Sequence, residues 1–194
     1  MARPRTFDED RALDAALETF WSLGYEAAST DDLCTATGLG RSSLYNTFRS
    51  KHALFLRALD RYTARMNERS RALLEDETRP VPERIAALLA RFTEEPEPGV
   101  PPGCMVVNTA VELSGRDPEI GDRLERDYQE RHAMLTTALA AGQRAGEIDR
   151  EKDPRALAHF LIATMSGMRV TARSALPGSR ARLEATAASA LAAL

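Results

Sequence analysis

The chain has 194 residues, of which 43% are hydrophobic and 6% are aromatic, and its formal net charge is −3. This length can bury one sizeable core, or form a small module joined to a larger one. No apolar run of about 18 residues occurs, which argues against a membrane-spanning helix, and residues 1–11 lack the apolar stretch of a secretory signal. Cys34 and Cys104 lie far apart and have no metal-ligand spacing. We therefore expect a cytoplasmic protein without a metal or a cofactor.

Helix-forming residues dominate the chain, whereas the β-branched and aromatic residues that favour strands are sparse. The predicted fold class is therefore all-α, with about nine helices. The first helix has apolar residues at three- and four-residue spacing, and Gly24 can end it. Its apolar face comprises Leu13, Ala16, Leu17, Phe20 and Trp21.

Three further helices are predicted before residue 80. Ser29 or Thr30 can cap the second helix, and Gly38 stops it after little more than two turns. A third short segment carries the apolar residues Leu44, Tyr45 and Phe48. Ser50 is predicted to cap a long fourth helix, which ends before Pro80.

Proline and glycine delimit the next two elements. Pro82 is predicted as the first residue of the fifth helix, where its missing N–H costs nothing. The stretch EEPEPGVPPG, residues 94–103, is predicted as a loop. The sixth helix then covers Cys104–Leu113, and SGRDP at 114–118 breaks it.

The last three helices are delimited in the same way. The seventh is predicted to end near Gly142 or Gly146. Asp153 and the proline after it open the eighth helix, and LPGS at 176–179 ends it. The ninth helix is rich in alanine and runs to the C-terminus.

The three short helices form a separate unit, so we predict one domain over residues 1–50 and a larger one over 51–194. Two short helices joined by the glycine-containing turn at 38–40 are typical of a helix-turn-helix. Leu44 should pack in the angle between them, together with Leu39 of the turn. The second of the two, Arg41–Phe48, then presents short polar side chains suited to base edges and phosphates in a major groove. These are Arg41, Ser42, Ser43, Asn46 and Thr47.

The charge distribution supports contact with a polyanion. The window 33–59 contains no Asp or Glu, although 29 of the 194 residues are acidic, so roughly four would be expected there. The same window holds the basic residues Arg41, Arg49, Lys51, His52 and Arg57. Acids beside phosphate would weaken binding, so their absence favours DNA. A short helical hairpin of no DNA-binding role can share this composition, and that alternative stays open on charge alone.

Residues 7–56 resemble the DNA-binding domain of the TetR family of transcriptional regulators. The resemblance rests on Phe20, Gly24, Tyr25, Thr30, Thr37-Gly38-Leu39, Leu44-Tyr45, Phe48, Ser50-Lys51 and Leu54. Matches at this spacing over about fifty residues are far more specific than a bare helix-turn-helix. The resemblance implies a sequence-specific DNA-binding regulator, a ligand-responsive repressor that a small molecule releases from a palindromic operator. An activator would share these features.

The resemblance also implies individual roles. Thr30, Tyr45 and Lys51 match positions that usually contact phosphates. The variable positions that read bases or nearby backbone are matched by Arg41, Ser42, Ser43 and Asn46. Thr47 stands where the family commonly has His, which leaves a backbone contact there open. Arg3 and Arg5 could extend into a minor groove, or lie on a solvated tail.

The eighth predicted helix, ALAHFLIATMSGM, is apolar nearly all round and must be buried on more than one side. We predict a homodimer in which the eighth and ninth helices of two copies form a four-helix interface, as TetR-like proteins do. A two-fold dimer would read a roughly palindromic operator. A monomer that buries the eighth helix internally is the alternative.

The resemblance further implies a cavity for a small-molecule effector among the fourth to eighth helices. The candidate lining residues are mostly apolar with a few polar anchors. They are Met66, Phe92, Cys104, Met105, Asn108, Glu112, Tyr128, Phe160 and Met165, with Thr109, His132 and Met168 as further candidates. Each Met or aromatic residue could equally be ordinary core, and His132 could lie at the surface.

The stretch GCMVVNTAVEL at 103–113 resembles the start of the sixth helix in a subset of TetR-like proteins, some of which respond to electrophiles or oxidants. A helix N-terminus would lower the pKa of the Cys104 thiol, which would suit a sensing thiolate. The alternative is that Cys104 only packs the start of the helix.

Two other classes of function are the alternatives to a regulator. A helical enzyme would need a nucleophile, base or metal cluster, but His52, His132 and His159 are scattered and no phosphate-binding loop occurs. We therefore expect no enzymatic activity. An architectural or interaction protein would bind DNA without response to any metabolite.

Overall fold

The computed structural model describes residues 8–93, 103–174 and 176–194. All regular secondary structure in these ranges is helical, which confirms the all-α prediction. The helices are α1 (Glu9–Leu23), α2 (Thr30–Thr37), α3 (Arg41–Phe48), α4 (Lys51–Leu74), α5 (Val81–Ala90), α6 (Met105–Leu113), α7 (Pro118–Ala145), α8 (Pro154–Ser174) and α9 (Ser179–Ala192). The predicted arm with Arg3 and Arg5, and the predicted loop up to residue 102, lie outside the described residues.

The chain divides into two compact units, Met1–Tyr62 and Thr63–Leu194, here called the first and second units. The division falls within α4, which begins at Lys51. The boundary predicted between residues 50 and 51 corresponds to the start of this helix. The first unit therefore contains α1 to α3 and the first part of α4.

The first unit is built on an aromatic core. Phe20 of α1 meets Phe55 of α4 edge-on, with ring centroids 5.0 Å apart, and Tyr25 lies 4.8 Å from the same ring. The Arg61 guanidinium reinforces this packing from outside, because its Nε and Nη2 donate to both carboxylate oxygens of Asp14 at 2.6 and 2.9 Å. A two-bond contact of this kind fixes orientation as well as charge. Together these contacts hold α1 against α4.

The second unit buries a larger apolar core formed by α5, α7, α8 and α9 with the end of α4. Its members include Leu74, Ile85, Leu89, Leu135, Leu139, Leu161, Ile162, Met165, Met168 and Leu183. The helix α7 starts where Asp117 caps it, since the Asp117 carboxylate accepts the amides of Glu119 and Ile120 at 3.0 and 3.2 Å. It ends at Gly146, which adopts the left-handed conformation at φ 76°.

The prediction for the start of the fifth helix was wrong by one residue. Val81 is the first residue of α5, and Pro82 is the second. The Val81 amide donates to the Glu147 carboxylate at 2.7 Å, a bond that a proline at this position could not make. Proline is tolerated throughout the first turn because amides there need no partner within the helix.

Other predicted boundaries are confirmed. Ser29, rather than Thr30, caps α2, and the Ser50 hydroxyl accepts the Ala53 amide at 3.0 Å at the start of α4. Of the two glycines considered for the end of α7, Gly146 ends it, whereas Gly142 is buried inside the helix.

Gly142 marks a close approach in the second unit. A Cβ at this position would lie 2.8 Å from Ile148 Cδ1 and 3.0 Å from Val81 Cβ. Real side-chain carbons do not approach so closely, so the glycine allows α7, α5 and the segment after α7 to meet. Gly121 in the same helix differs, because a Cβ there would meet only the Ser114 carbonyl oxygen at 3.5 Å.

We predict that Gly142→Ala lowers the free energy of unfolding by about 1–3 kcal/mol, because the added methyl overpacks this contact. Gly121→Ala is the matched control in the same helix. It should raise the free energy of unfolding by roughly 0.5–1 kcal/mol through helix propensity. Urea unfolding followed by circular dichroism measures both. Equal effects of the two alanines would contradict the close approach at Gly142.

Candidate nucleic-acid interface and effector region

The helix α2 has eight residues and is fixed at its start by a reciprocal cap. The Asp32 amide donates to the Ser29 hydroxyl at 3.1 Å, and the Ser29 amide donates to the Asp32 carboxylate at 2.9 Å. The Ser29 hydroxyl also donates to this carboxylate at 2.6 Å, and these hydrogen bonds lower the pKa of Asp32. Such a capping box satisfies two amides that the helix leaves unpaired.

The turn between α2 and α3 depends on backbone conformation rather than on space. Gly38 ends α2 in the left-handed region at φ 68°, and a Cβ there would meet nothing within 4 Å among the described residues. A side chain would thus be strained by the backbone and not by a neighbour. The chain then enters α3 with Leu44 and Phe48 buried in the first unit and Leu39 half-buried.

The outward side of α3 carries the residues predicted to read bases. Arg41, Ser42, Ser43 and Asn46 are all exposed. Thr47 is half-buried, and its hydroxyl donates to the Ser43 carbonyl at 2.9 Å, within the helix. The structure therefore brings four of the five candidates together on one open surface, with the Thr47 hydroxyl engaged in the helix.

The candidates for phosphate contact lie beside this surface. The Thr30 and Tyr45 hydroxyls are hydrogen-bonded to each other at 2.8 Å, which links α2 to α3. The Lys51 ammonium lies 4.7 Å from the centre of the Tyr25 ring and 3.5 Å from the Glu26 carbonyl oxygen. These contacts restrict where each of the three groups can point.

One residue at this surface was not predicted to have a role. The Asp31 carboxylate lies 3.4 Å from Nη2 of Arg41. The available signal was that two adjacent acids follow Ser29, although a capping box needs only one.

The candidate effector residues are distributed unevenly in the second unit. Cys104, Met105, Thr109, His132, Met165 and Met168 are buried; Met66, Phe92, Asn108, Glu112 and Tyr128 are half-buried. Cys104 is the N-cap residue of α6, and its side chain makes no capping hydrogen bond. Phe160 does not join this set, since it is 43% exposed on α8.

Three rings cluster between α7 and α8. The Tyr128 hydroxyl and His159 Nδ1 share a short hydrogen bond of 2.5 Å, and the His132 and His159 rings lie 4.1 Å apart. The His132 Nε2 lies 3.1 Å from the Arg155 carbonyl oxygen, so it carries the proton of this hydrogen bond. His132 is thus an interior residue, and His159 was missed because sequence separation hides its contact.

A buried polar pair links α4 and α7 within the second unit. The Asn67 amide donates to the Asp127 carboxylate at 3.2 Å and to the Glu130 carboxylate at 3.0 Å. Arg131 Nε lies 2.9 Å from the other Asp127 oxygen. Burial raises the pKa of Asp127, although the Arg131 charge and the Asn67 hydrogen bond oppose the shift. No motif or spacing in the sequence indicates this pair.

Across residues 8–93, 103–174 and 176–194, no group of three or more His, Cys, Asp or Glu could hold a metal ion. None of the helices in these ranges is both long and apolar enough to cross a bilayer.

Comparison with known proteins gives consistent matches. Residues 12–58 match the family model "Bacterial regulatory proteins, tetR family", and residues 81–190 match "Tetracyclin repressor-like, C-terminal domain". The chain is 38% identical to the HTH-type transcriptional repressor ComR of Escherichia coli (strain K12) over 179 residues, covering 88% of this chain and 82% of ComR. It is 31% identical to the repressor BdcR of the same organism over 174 residues, with the same coverage.

A solved structure is similar over nearly the whole chain. It is a cysteine mutant of the TetR family transcriptional regulator CifR, complexed with a 26-base-pair double-strand operator DNA. The TM-score is 0.86 at 32% identity, and the match covers 99% of each chain.

We predict that Arg41→Ala weakens binding to a preferred DNA site by about 1–3 kcal/mol, because one charged contact is lost at the exposed surface of α3. Fluorescence anisotropy with a labelled duplex measures this loss. Arg180→Ala is the control, since it removes one exposed arginine, paired with Glu184 at 3.1 Å, from α9. Equal losses in the two variants would show that only net charge matters.

We also predict that Asp127 makes the stability fall as pH rises. The folded-state pKa lies above the ordinary value of 3.8, so the folded state holds this proton more tightly than the unfolded state does. The stability of the wild type relative to Asp127→Asn should decrease as pH rises through the window above 3.8.

Asp76→Asn tests a pH dependence of stability that has the opposite sign. The Thr78 hydroxyl donates to Asp76 and lowers its pKa below 3.8. The stability of the wild type relative to this variant should therefore increase as pH rises through the window below 3.8. Melting temperatures of all three proteins over a pH series test both signs, and parallel curves would contradict them.

Proposed function

This chain belongs to the TetR family of transcriptional regulators, and we propose that it is a repressor whose homodimer leaves a palindromic operator when a small molecule binds. It is a sequence-specific DNA-binding regulator. The observation that carries the proposal is the exposed surface of α3 with Arg41, Ser42, Ser43 and Asn46, held in place by the buried Leu44 and Phe48. The similar CifR mutant is complexed with operator DNA.

We propose that α3 enters the major groove with its N-terminus towards the DNA backbone. Gly40 caps α3 without a side-chain hydrogen bond, and the first turn holds no acid. The amides of that turn are therefore suited to receive a phosphate oxygen, which the helix dipole also favours. The guanidinium of Arg41 and the amide of Asn46 supply the donors and acceptors that distinguish base pairs.

The groups around α3 would set its position rather than read sequence. Thr30 and Tyr45 share one hydrogen bond, and the hydroxyl that accepts it keeps its own O–H to donate to a phosphate oxygen. Lys51 would add a positive charge at the start of α4. Contacts to phosphate fix register and orientation on the duplex.

The proposed dimer interface is an apolar face of α8 and α9. Phe160 and Val170 are 43% and 56% exposed, and Ala163 and Gly167 lie exposed between them at helical spacing. On α9 the exposed small residues are Ala181, Ala185, Ala188 and Ala192. A second copy would cover this face and allow close helix approach. The two-fold axis would then pair two copies of α3 with two half-sites.

The proposed effector acts on the second unit. Its candidate residues include the buried Met105 and Met165 and the half-buried Tyr128. The helix α4 carries residues of both units. A ligand that shifts the second half of α4 would therefore also move the first half of this helix. Release requires that the ligand binds the DNA-free form more tightly than the DNA-bound form. We place this action in the cytoplasm, where the operator lies.

We predict that selection from genomic fragments, followed by footprinting, yields a protected near-palindrome. Its half-sites should be separated by about 34 Å or a multiple of it, the repeat of the double helix. Protection should be lost with Arg41→Ala and weakened with Tyr45→Phe, which removes the hydroxyl bonded to Thr30. Uniform, salt-sensitive binding without a preferred site would contradict the proposal and favour an architectural protein.

A further inference from the structure

Two neighbouring acids at the start of α2 have different partners. Asp32 is engaged with both the amide and the hydroxyl of Ser29, at 2.9 and 2.6 Å. The Asp31 carboxylate is not part of this cap and lies 3.4 Å from Arg41 Nη2 on α3. Asp32 alone therefore supplies the carboxylate of the cap. Asp31 instead contacts Arg41, a residue predicted to read bases.

The pair between Asp31 and Arg41 is open to solvent. The Arg41 and Asp31 side chains are 67% and 87% exposed. An exposed ion pair contributes little to stability, because water screens it and both side chains lose freedom. The ion pair can instead affect DNA binding, because the two side chains can separate as DNA approaches.

The charge of Asp31 is out of place on a surface that meets a polyanion. The window 33–59 contains no acid, and Asp31 lies just before it, next to the phosphate candidate Thr30. A carboxylate here repels every phosphate that comes near and lowers the affinity for all DNA. Asp31 also lies in the first turn of α2, where an acid suits the helix dipole. It favours specificity where it penalises the wrong sequences more than the right one.

We infer that Asp31 is a specificity-determining residue, which restrains the Arg41 guanidinium from phosphates and orients it towards a base edge. On non-specific DNA, Arg41 can gain only a phosphate, and Asp31 competes for it directly. On the operator, the guanidinium can donate to a base while another of its N–H groups still faces Asp31. Asp31 thus weakens non-specific binding more than operator binding. This inference rests on the proposed function.

The test uses Asp31→Asn in the full chain. Asparagine has the same shape and keeps an oxygen that can accept from Arg41, but it lacks the charge. Dissociation constants are measured for the selected operator fragment and for a scrambled duplex of equal length and composition, over a salt series. Affinity for the scrambled duplex should rise about three- to tenfold, with a salt dependence steeper by about one unit in the log–log slope. Affinity for the operator should change less. The ratio of operator affinity to scrambled-duplex affinity should therefore fall.

Three comparison variants separate this effect from general electrostatics and from folding. Glu9→Gln removes the same charge from another exposed pair of the first unit, which joins Arg57 and Glu9 at 2.7 Å. It should shift both affinities alike and leave their ratio unchanged. Asp32→Asn breaks the capping box and should lower the melting temperature. Adding Asp31→Asn to Arg41→Ala should not change the ratio further, because the effect acts through Arg41.

The outcomes distinguish this inference from the function on which it rests. A wild type that prefers the operator, with an unchanged or higher ratio in Asp31→Asn, overturns the role of Asp31 alone. So does a fall in ratio that persists without Arg41. A wild type that binds all duplexes equally overturns the proposed function, and the role of Asp31 with it.

Discussion

Burial of Leu44 and Phe48 is the contact on which the proposed DNA-facing surface of α3 depends. The helix α3 has eight residues, and a helix shorter than about 12 residues is marginal in water. Its two apolar side chains are buried in the first unit, and this burial supplies the stability that the helix lacks on its own. The polar side chains on its outer face thereby gain a fixed direction. Tyr45 adds a bond to Thr30 from the same helix.

The second unit contains long helices, such as α7 with 28 residues and α8 with 21, and their placement against one another depends on particular contacts. Gly142 permits a contact too close for any side chain. Asn67 and Asp127 instead place polar groups in the interior, where their mutual hydrogen bond offsets part of the burial cost. A polar pair between α4 and α7 is more sensitive to geometry than apolar packing.

The local elements could be predicted because their signals are local. Ser29, Gly38 and Ser50 mark helix ends through the hydrogen bonds and backbone angles that only a few residue types allow. The start of α5 was missed by one residue because Glu147, far along the chain, binds the Val81 amide. His159 and Asn67 were missed for the same reason, since periodicity carries no information about which face meets which partner.

The sequence by itself determined the helical class, the order of the helices, the polar outer face of α3 and membership of a regulator family. These follow from spacing and from residue types that a helix-turn-helix requires at fixed positions. Only the tertiary structure decided that Asp31 meets Arg41, that His132 lies inside, and that Phe160 stays exposed on α8. Such contacts join residues that are distant in the chain, and the free energy that selects them comes from the packing of whole helices.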